Sequence, residues 1–281
     1  MFAFRLVACV VVALTVTGCA NLKKNETSAQ TAFVPAIPQP RPVDASDPLP
    51  MEPRAWFHAS LGTPRGPLTG RTLDVSSVGD IKLAPKEVIL TFDDGPVPGK
   101  TERILDTLDL FRVKATFLMV GEMAKNHPDI ARKVVARGHS VGSHTWRHAN
   151  LSGMNFDRAM TEIMRGETAV RVSTGADIGF FRFPYLADTG PLRAALARRG
   201  TVVLDVGIDS KDYFKSTPSE IVERTMTTLA ARQSGIILLH DIHARTELML
   251  PQLLSRLQAG GYKVVALRHK RSGLDLLASA Q

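Results

Sequence analysis

The chain has 281 residues, 44% of them hydrophobic and 22% charged, so it can bury one sizeable core with length left over for peripheral segments. Its formal charge is +8, but the basic residues are scattered and an export signal would remove the chain from the nucleic-acid pool, which excludes nucleic-acid binding. Of the two cysteines only Cys19 would survive removal of that signal, so an intramolecular disulfide is excluded and the fold must stand on its core.

The N-terminus carries Arg5 and then an apolar stretch over 6–16, too short and too abruptly ended for a membrane span. Residues 1–18 read as a secretory signal peptide. Thr17-Gly18-Cys19-Ala20 is similar to the lipobox of bacterial lipoproteins, which implies a lipidated Cys19 as the mature N-terminus, with a plain signal peptide as the alternative. By the same resemblance, Ala20 after the cysteine implies a membrane anchor in the periplasm-facing outer membrane of a Gram-negative cell envelope. Arg5 is the only charged residue in 1–18, so the mature chain carries +8 − 1 = +7. A basic surface suits an anionic envelope polymer, although a well-solvated surface with no particular partner is the preferred reading.

Residues 19–85 read as the lipidated N-terminus and its tether. From 21 to about 67 the chain is polar and then proline-rich, with Pro35, Pro38, Pro40, Pro42, Pro48, Pro50 and Pro53, which predicts an extended spacer rather than a helix or inner strand. From residue 86 to 270 strand-like and helix-like segments alternate, the pattern of an α/β domain with largely parallel strands. Predicted strands lie at 88–92, 115–120, 139–141, 179–183, 202–206, 236–239 and 264–267. Helical periodicity falls at 101–111, 128–137, 156–172, 191–199, 218–231 and 248–258. Gly138, Gly200 and Gly260 stand where helix C-caps belong. About seven strand-helix units fit a closed or nearly closed barrel.

The apolar run Val88-Ile89-Leu90-Thr91-Phe92 ends in Asp93-Asp94-Gly95-Pro96, which delivers two carboxylates to the C-terminal end of a buried strand. That edge is where parallel α/β folds place reactive groups. Adjacent strand residues point to opposite faces, so both carboxylates reach one site only if the Gly95-Pro96 turn redirects one of them. His144 and His148 stand at i and i+4, a pair that shares a face on one helical turn. No glutamate flanks His144, which excludes the HExxH pattern of metalloproteases. With Asp94 as third ligand the set becomes two nitrogens and one oxygen with a position left open for water. Zinc is the default for such a set, and cobalt, manganese or nickel can be accommodated. A second apolar run, Ile236-Ile237-Leu238-Leu239, ends in His240-Asp241 at the same edge.

In order, these motifs resemble the polysaccharide deacetylases of the NodB-homology type, carbohydrate esterase family 4. Their signatures run TFDDGP, H(S/T)xxxH, RxPY, an Asp-containing stretch, and an apolar strand ending in HD. The resemblance covers about residues 86–270 and implies a distorted (β/α) barrel with fewer than eight strands. It also implies metal-assisted removal of an acetyl group, usually from N-acetylhexosamine. Carried over by motif position, Asp93 is the general base, Asp94, His144 and His148 ligate the metal, and Arg182 holds Asp93 ionised and oriented. The Tyr185 N–H donates to the developing oxyanion, Leu239 lines the methyl pocket, and His240 is the general acid. Asp212 pairs with His240, with Asp209 as competitor. Two departures stand out: Tyr213 where the family more often has tryptophan, and Leu186 where it often has glycine. His243 can rim the site or be a satisfied surface histidine. The expected partner is an acetylated glycan such as peptidoglycan or chitooligosaccharide. An O-acetyl esterase and a lapsed, glycan-binding lipoprotein are the competing functions, and a phosphatase of the aspartyl-phosphate kind is disfavoured because its two aspartates are separated by one residue.

Overall fold

The computed structural model describes residues 66–270. The signal peptide, the lipobox and the proline-rich stretch lie outside them. Strands are β1 (Thr69–Val75), β2 (Glu87–Asp93), β3 (Thr116–Met119), β4 (Ser140–Ser143), β5 (Phe180–Phe181), β6 (Val202–Val203), β7 (Ile208–Asp209), β8 (Gly235–His240) and β9 (Lys263–His269). Helices are α1 (Lys100–Leu110), α2 (Gly121–Asn126), α3 (Pro128–Ala136), α4 (Phe156–Thr174), α5 (Gly190–Arg198), α6 (Pro218–Arg232) and α7 (Ala244–Ala259). Among the described residues no helix is long and apolar enough to cross a membrane.

The strands pair in parallel in the order β7-β8-β2-β3-β4-β5-β6, a curved wall of seven. No pairing joins β6 to β7 among the described residues, so the expected barrel is an open one. Period-2 alternation divides β2 between two cores. Val88, Leu90 and Phe92 pack outward under the helices, where Phe92 stacks on Phe117 with centroids 5.0 Å apart. Ile89 faces the interior with Leu118, Phe180, Leu204 and Val265. Thr91 and Asp93 continue that inner row toward the C-terminal edge.

β9 shares an edge of β2 with β3, pairing only at Glu87↔Lys263 and Val88↔Val264, and then crosses the N-terminal end of the wall. On its way the Ser140 hydroxyl donates to the Leu267 carbonyl, and the His269 ring meets Phe180 edge-on at 5.7 Å. Gly179 is required here, because a Cβ on it would lie 2.0 Å from the His269 ring. β1 lies along β9 and completes this floor, leaving the opposite end for chemistry.

The boundary of the tether is corrected by β1. Residues 69–75 fall within 19–85, the expected lipidated N-terminus and tether, yet they form a strand of the sheet. Its sequence TGRTLDV carries no apolar run, because an edge strand buries little. Pairing with β9 and the packing of Val75 and Leu73 hold it, and exposed ion pairs flank it, Arg268 to Asp74 at 2.5 and 2.9 Å and Arg71 to Glu87 at 2.8 Å. β7 and α2, two and six residues long, are too short to show a period and were also unanticipated. Gly138 and Gly200 take the left-handed backbone of helix C-termini, whereas after α7 Gly260 is the C-cap in right-handed backbone and Gly261 takes the left-handed one (φ 76°).

Candidate active site

Asp93 ends β2 with its side chain in the inner row, and Asp94 follows at φ 80°. This left-handed residue breaks the strand alternation and returns the second carboxylate to the same side. The turn is pinned from β8: the Asp241 N–H donates to the Asp93 carbonyl at 3.2 Å. Gly95 lies so close that a Cβ would meet the Asp241 carboxylate at 2.1 Å. The buried Thr101 hydroxyl donates to Asp241 at 2.6 Å. Burial pushes Asp241 up to about 7 against that hydrogen bond, and the nearby Asp94 charge adds to the rise.

Arg182 is 1% exposed and ties β2 to the segment after β6. Its guanidinium donates to Asp93 Oδ1 at 2.7 Å, to the Thr91 hydroxyl at 2.8 Å and to the Leu204 carbonyl at 3.0 Å. The Thr91 hydroxyl in turn donates to the Ile237 carbonyl at 2.8 Å. A buried guanidinium is tolerable only with such partners, and this set fixes which Asp93 oxygen stays free.

His144 and His148 do share the site, but not on a helix. β4 ends at Ser143, and a turn with Thr145 (φ 68°) and His148 (φ 56°) in left-handed backbone brings the rings to 4.8 Å. The expected helical turn fails because β4 delivers His144 directly at its C-terminal end. His144 Nδ1 donates to the Arg182 carbonyl at 2.8 Å, which leaves Nε2 as the free lone pair. That Nε2 lies 3.5 Å from Asp94 Oδ1, and His148 Nε2 lies 3.4 Å from the same oxygen. Burial pushes the His144 pKa down, against the pull of Asp93 and Asp94, which favours the neutral ring that ligates metal. The ligand atoms of Asp94, His144 and His148 lie within 4.8 Å of one another, and the buried Asp94 Oδ1 has no hydrogen-bond partner. Two imidazole nitrogens and an orphaned carboxylate oxygen around one point fit a divalent cation.

Beside Asp93 in register stands His240. Its Nδ1 meets Asp212 Oδ1 at 2.7 Å, and its backbone N–H donates to Asp212 Oδ2 at 2.8 Å. The buried Thr246 hydroxyl supplies a third donor to Asp212 at 2.6 Å. Burial opposes the His240 charge, but the Asp212 hydrogen bond and charge override it and raise the imidazole to about 9. Asp209 takes no part in that pair: it accepts from the Tyr213 hydroxyl at 2.8 Å and the Lys211 N–H at 2.9 Å. The half-buried His243 lies at the rim with its ring 5.8 Å from His240. Tyr185 takes φ 58° in the turn after β5, and its ring meets His148 edge-on at 4.7 Å.

Leu239 is displaced from its expected place. It packs outward with Ile237 in the helix-side core, one residue out of phase with His240. Leu238 occupies the inner row instead, paired with Thr91 and Asp209. Counting two back from His240 would have found it. Thr246 carried no signal in the sequence, because it reaches Asp212 from the first turn of α7. Replacing Thr246 by valine is expected to lower unfolding free energy by about 2 kcal/mol, since a buried charge loses a donor. Urea denaturation of the two proteins checks this.

A polysaccharide deacetylase profile matches residues 80–204. A chitin deacetylase of Colletotrichum lindemuthianum is 31% identical over 217 residues, covering 73% of this chain and 87% of that one. The chain belongs to the polysaccharide deacetylase family. Other deacetylases of this family are similar as well. A peptidoglycan-N-acetylglucosamine deacetylase of Listeria monocytogenes is 31% identical over 183 residues, 65% of this chain and 38% of its own. The structure of a Bdellovibrio bacteriovorus peptidoglycan deacetylase superposes with a TM-score of 0.63 at 32% identity, covering 73% of this chain and 57% of that one. The chain thus spans little more than a third of the Listeria protein's length.

Proposed function

We propose that this chain is a metal-dependent hydrolase that removes N-acetyl groups from N-acetylhexosamine residues of an envelope glycan such as peptidoglycan or chitooligosaccharide. The observation that carries the reading is the pairing in register of Asp93, held by Arg182, with His240, held by Asp212, beside the Asp94, His144 and His148 cluster. A divalent cation held by those three residues, zinc by default with cobalt, manganese or nickel as alternatives, supplies Lewis acidity that activates water and polarises the acetyl carbonyl. Asp93 accepts the proton of the attacking water, and the Arg182 guanidinium, hydrogen-bonded to its Oδ1, aims the carboxylate. The Tyr185 N–H donates to the oxygen on which charge develops. His240 gives its Nε2 proton to the departing amine, which leaves poorly as an anion, while Asp212 holds the Nδ1 side.

The relatives are named for peptidoglycan and chitin substrates, which supports the choice of glycan. The anchor belongs to the same proposal: Cys19 is lipidated and the domain works in the envelope, facing the periplasm from the outer membrane. Labelled palmitate incorporation that vanishes in Cys19→Ala checks it. For activity, acetate release is measured from peptidoglycan, chitooligosaccharides and acetylated xylan, with and without chelator. We expect release from the N-acetylated glycans, at least tenfold suppression by chelator, and recovery with added zinc. Release from xylan alone would replace the N-deacetylase reading with an O-acetyl esterase.

A further inference from the structure

The turn between His144 and His148 holds a conformation that its own sequence disfavours. Thr145 and His148 lie in left-handed backbone at φ 68° and 56°, a region that a β-branched residue such as threonine rarely occupies. Backbone of this kind persists only where the surroundings over-determine it. His144 is fixed by the sheet, since its N–H donates to the Met119 carbonyl at 2.8 Å, so residues 145–147 decide where the His148 ring stands.

Two helices behind the turn hold those residues. From the start of α2 the Gly121 and Glu122 N–H groups donate to the Thr145 and Trp146 carbonyls at 2.9 and 3.0 Å. From α4 the Glu162 carbonyl accepts the Trp146 N–H at 3.2 Å, and Glu162 Oε1 accepts the Arg147 N–H at 2.8 Å. α4 comes this close because residue 166 is glycine: a Cβ there would lie 2.3 Å from the Thr145 carbonyl carbon. Three of these four hydrogen bonds join backbone to backbone, and they survive any side-chain change that leaves the helices in place. The fourth rests on the Glu162 carboxylate alone, and it holds the residue next to His148.

We propose that Glu162 is a positioning residue for the metal site: through the Arg147 N–H it fixes the turn, and so the approach of His148 Nε2 to Asp94 Oδ1 at 3.4 Å. This inference rests on the proposed metal site. Its test is the zinc affinity of the full-length protein, by competition with a chromophoric chelator, in wild type, E162A, E162D and E162Q, beside the urea midpoint of each metal-free protein. E162A removes the acceptor and E162D draws it back by one methylene. In both, the zinc dissociation constant is expected to rise about tenfold, the lower end of what losing a group behind a metal ligand costs. E162Q keeps an accepting oxygen at the same reach and should bind zinc within about threefold of wild type. A glutamate that merely stabilised the fold would lower the urea midpoint and leave the zinc constant of the folded protein unchanged. Constants within threefold of wild type in E162A and E162D overturn the inference, as does a tenfold loss in E162Q or a failure of both E162A and E162D to fold without metal. A wild-type protein that binds no zinc overturns the proposed metal site itself, and with it this role.

Discussion

Replacing Asp93 by asparagine is expected to leave the bound metal in place and to lower kcat by about two to four orders of magnitude, the usual worth of a positioned general base. The two halves of that expectation come from different atoms. In the proposed site His144 and His148 both approach Asp94 Oδ1 and Asp93 is not one of the three ligands, so metal content should not change. Asparagine keeps the shape and an oxygen for Arg182 but has no site for the proton of the attacking water. Arg182 retains the Leu204 carbonyl and the Thr91 hydroxyl, so the variant should fold, with some loss of stability from the uncompensated buried charge. His144→Ala is the contrasting variant: it removes one of three ligands and should lose metal and turnover together. Metal analysis by mass spectrometry beside acetate release separates the two. Normal turnover in either variant would remove Asp93 or the three-residue cluster from the mechanism.

Much of this site was legible because Asp93, His144 and His240 stand at the C-terminal ends of strands. A buried parallel strand reads as an apolar run, and the polar residues that terminate the run must lie at its C-terminal edge, which is how Asp93-Asp94 and His240-Asp241 declared themselves. Their mutual placement was not legible. Whether Asp93 and Asp94 face one site depends on a single backbone dihedral at Asp94, and spacing does not encode it. The pairing of His144 with His148 looked helical because i and i+4 suits a helix, whereas left-handed residues in a turn achieve the same approach. Leu239 shows the opposite failure. The information was present in the period of two, since His240 faces inward and its immediate neighbour therefore faces the helices. β1 escaped because an edge strand that buries only Val75 fully has no apolar signature. Thr246 and Arg224 act on Asp212 and its loop from helices, through contacts that only the tertiary fold creates.

Asp212→Asn is expected to lower kcat by about two to four orders of magnitude near pH 7.5 and to move the alkaline limb of the pH profile downward. In the native protein burial alone would favour neutral His240, and the Asp212 carboxylate reverses that preference, raising the imidazole from 6.5 to about 9. The sign follows directly. A raised folded-state value means that the His240–Asp212 pair contributes its full stability below about pH 6.5 and loses it as pH rises through about 9. The proton that the proposed mechanism gives to the leaving amine therefore stays on His240 through neutral pH, and activity should fall along an alkaline limb near that value. Asparagine removes the charge, so burial prevails and the limb moves to 6.5 or below. An amide at this position also presents an N–H to the imidazole, which disfavours the orientation in which Nδ1 is the donor. The measurement is kcat/KM for chitopentaose from pH 5 to 10 in both proteins. The stability of each over the same range, by urea denaturation, should show the native protein losing its His240-linked contribution above neutrality and the variant lacking it throughout. An alkaline limb that stays in place in Asp212→Asn would assign it to another group and remove His240 from the proton-donating role.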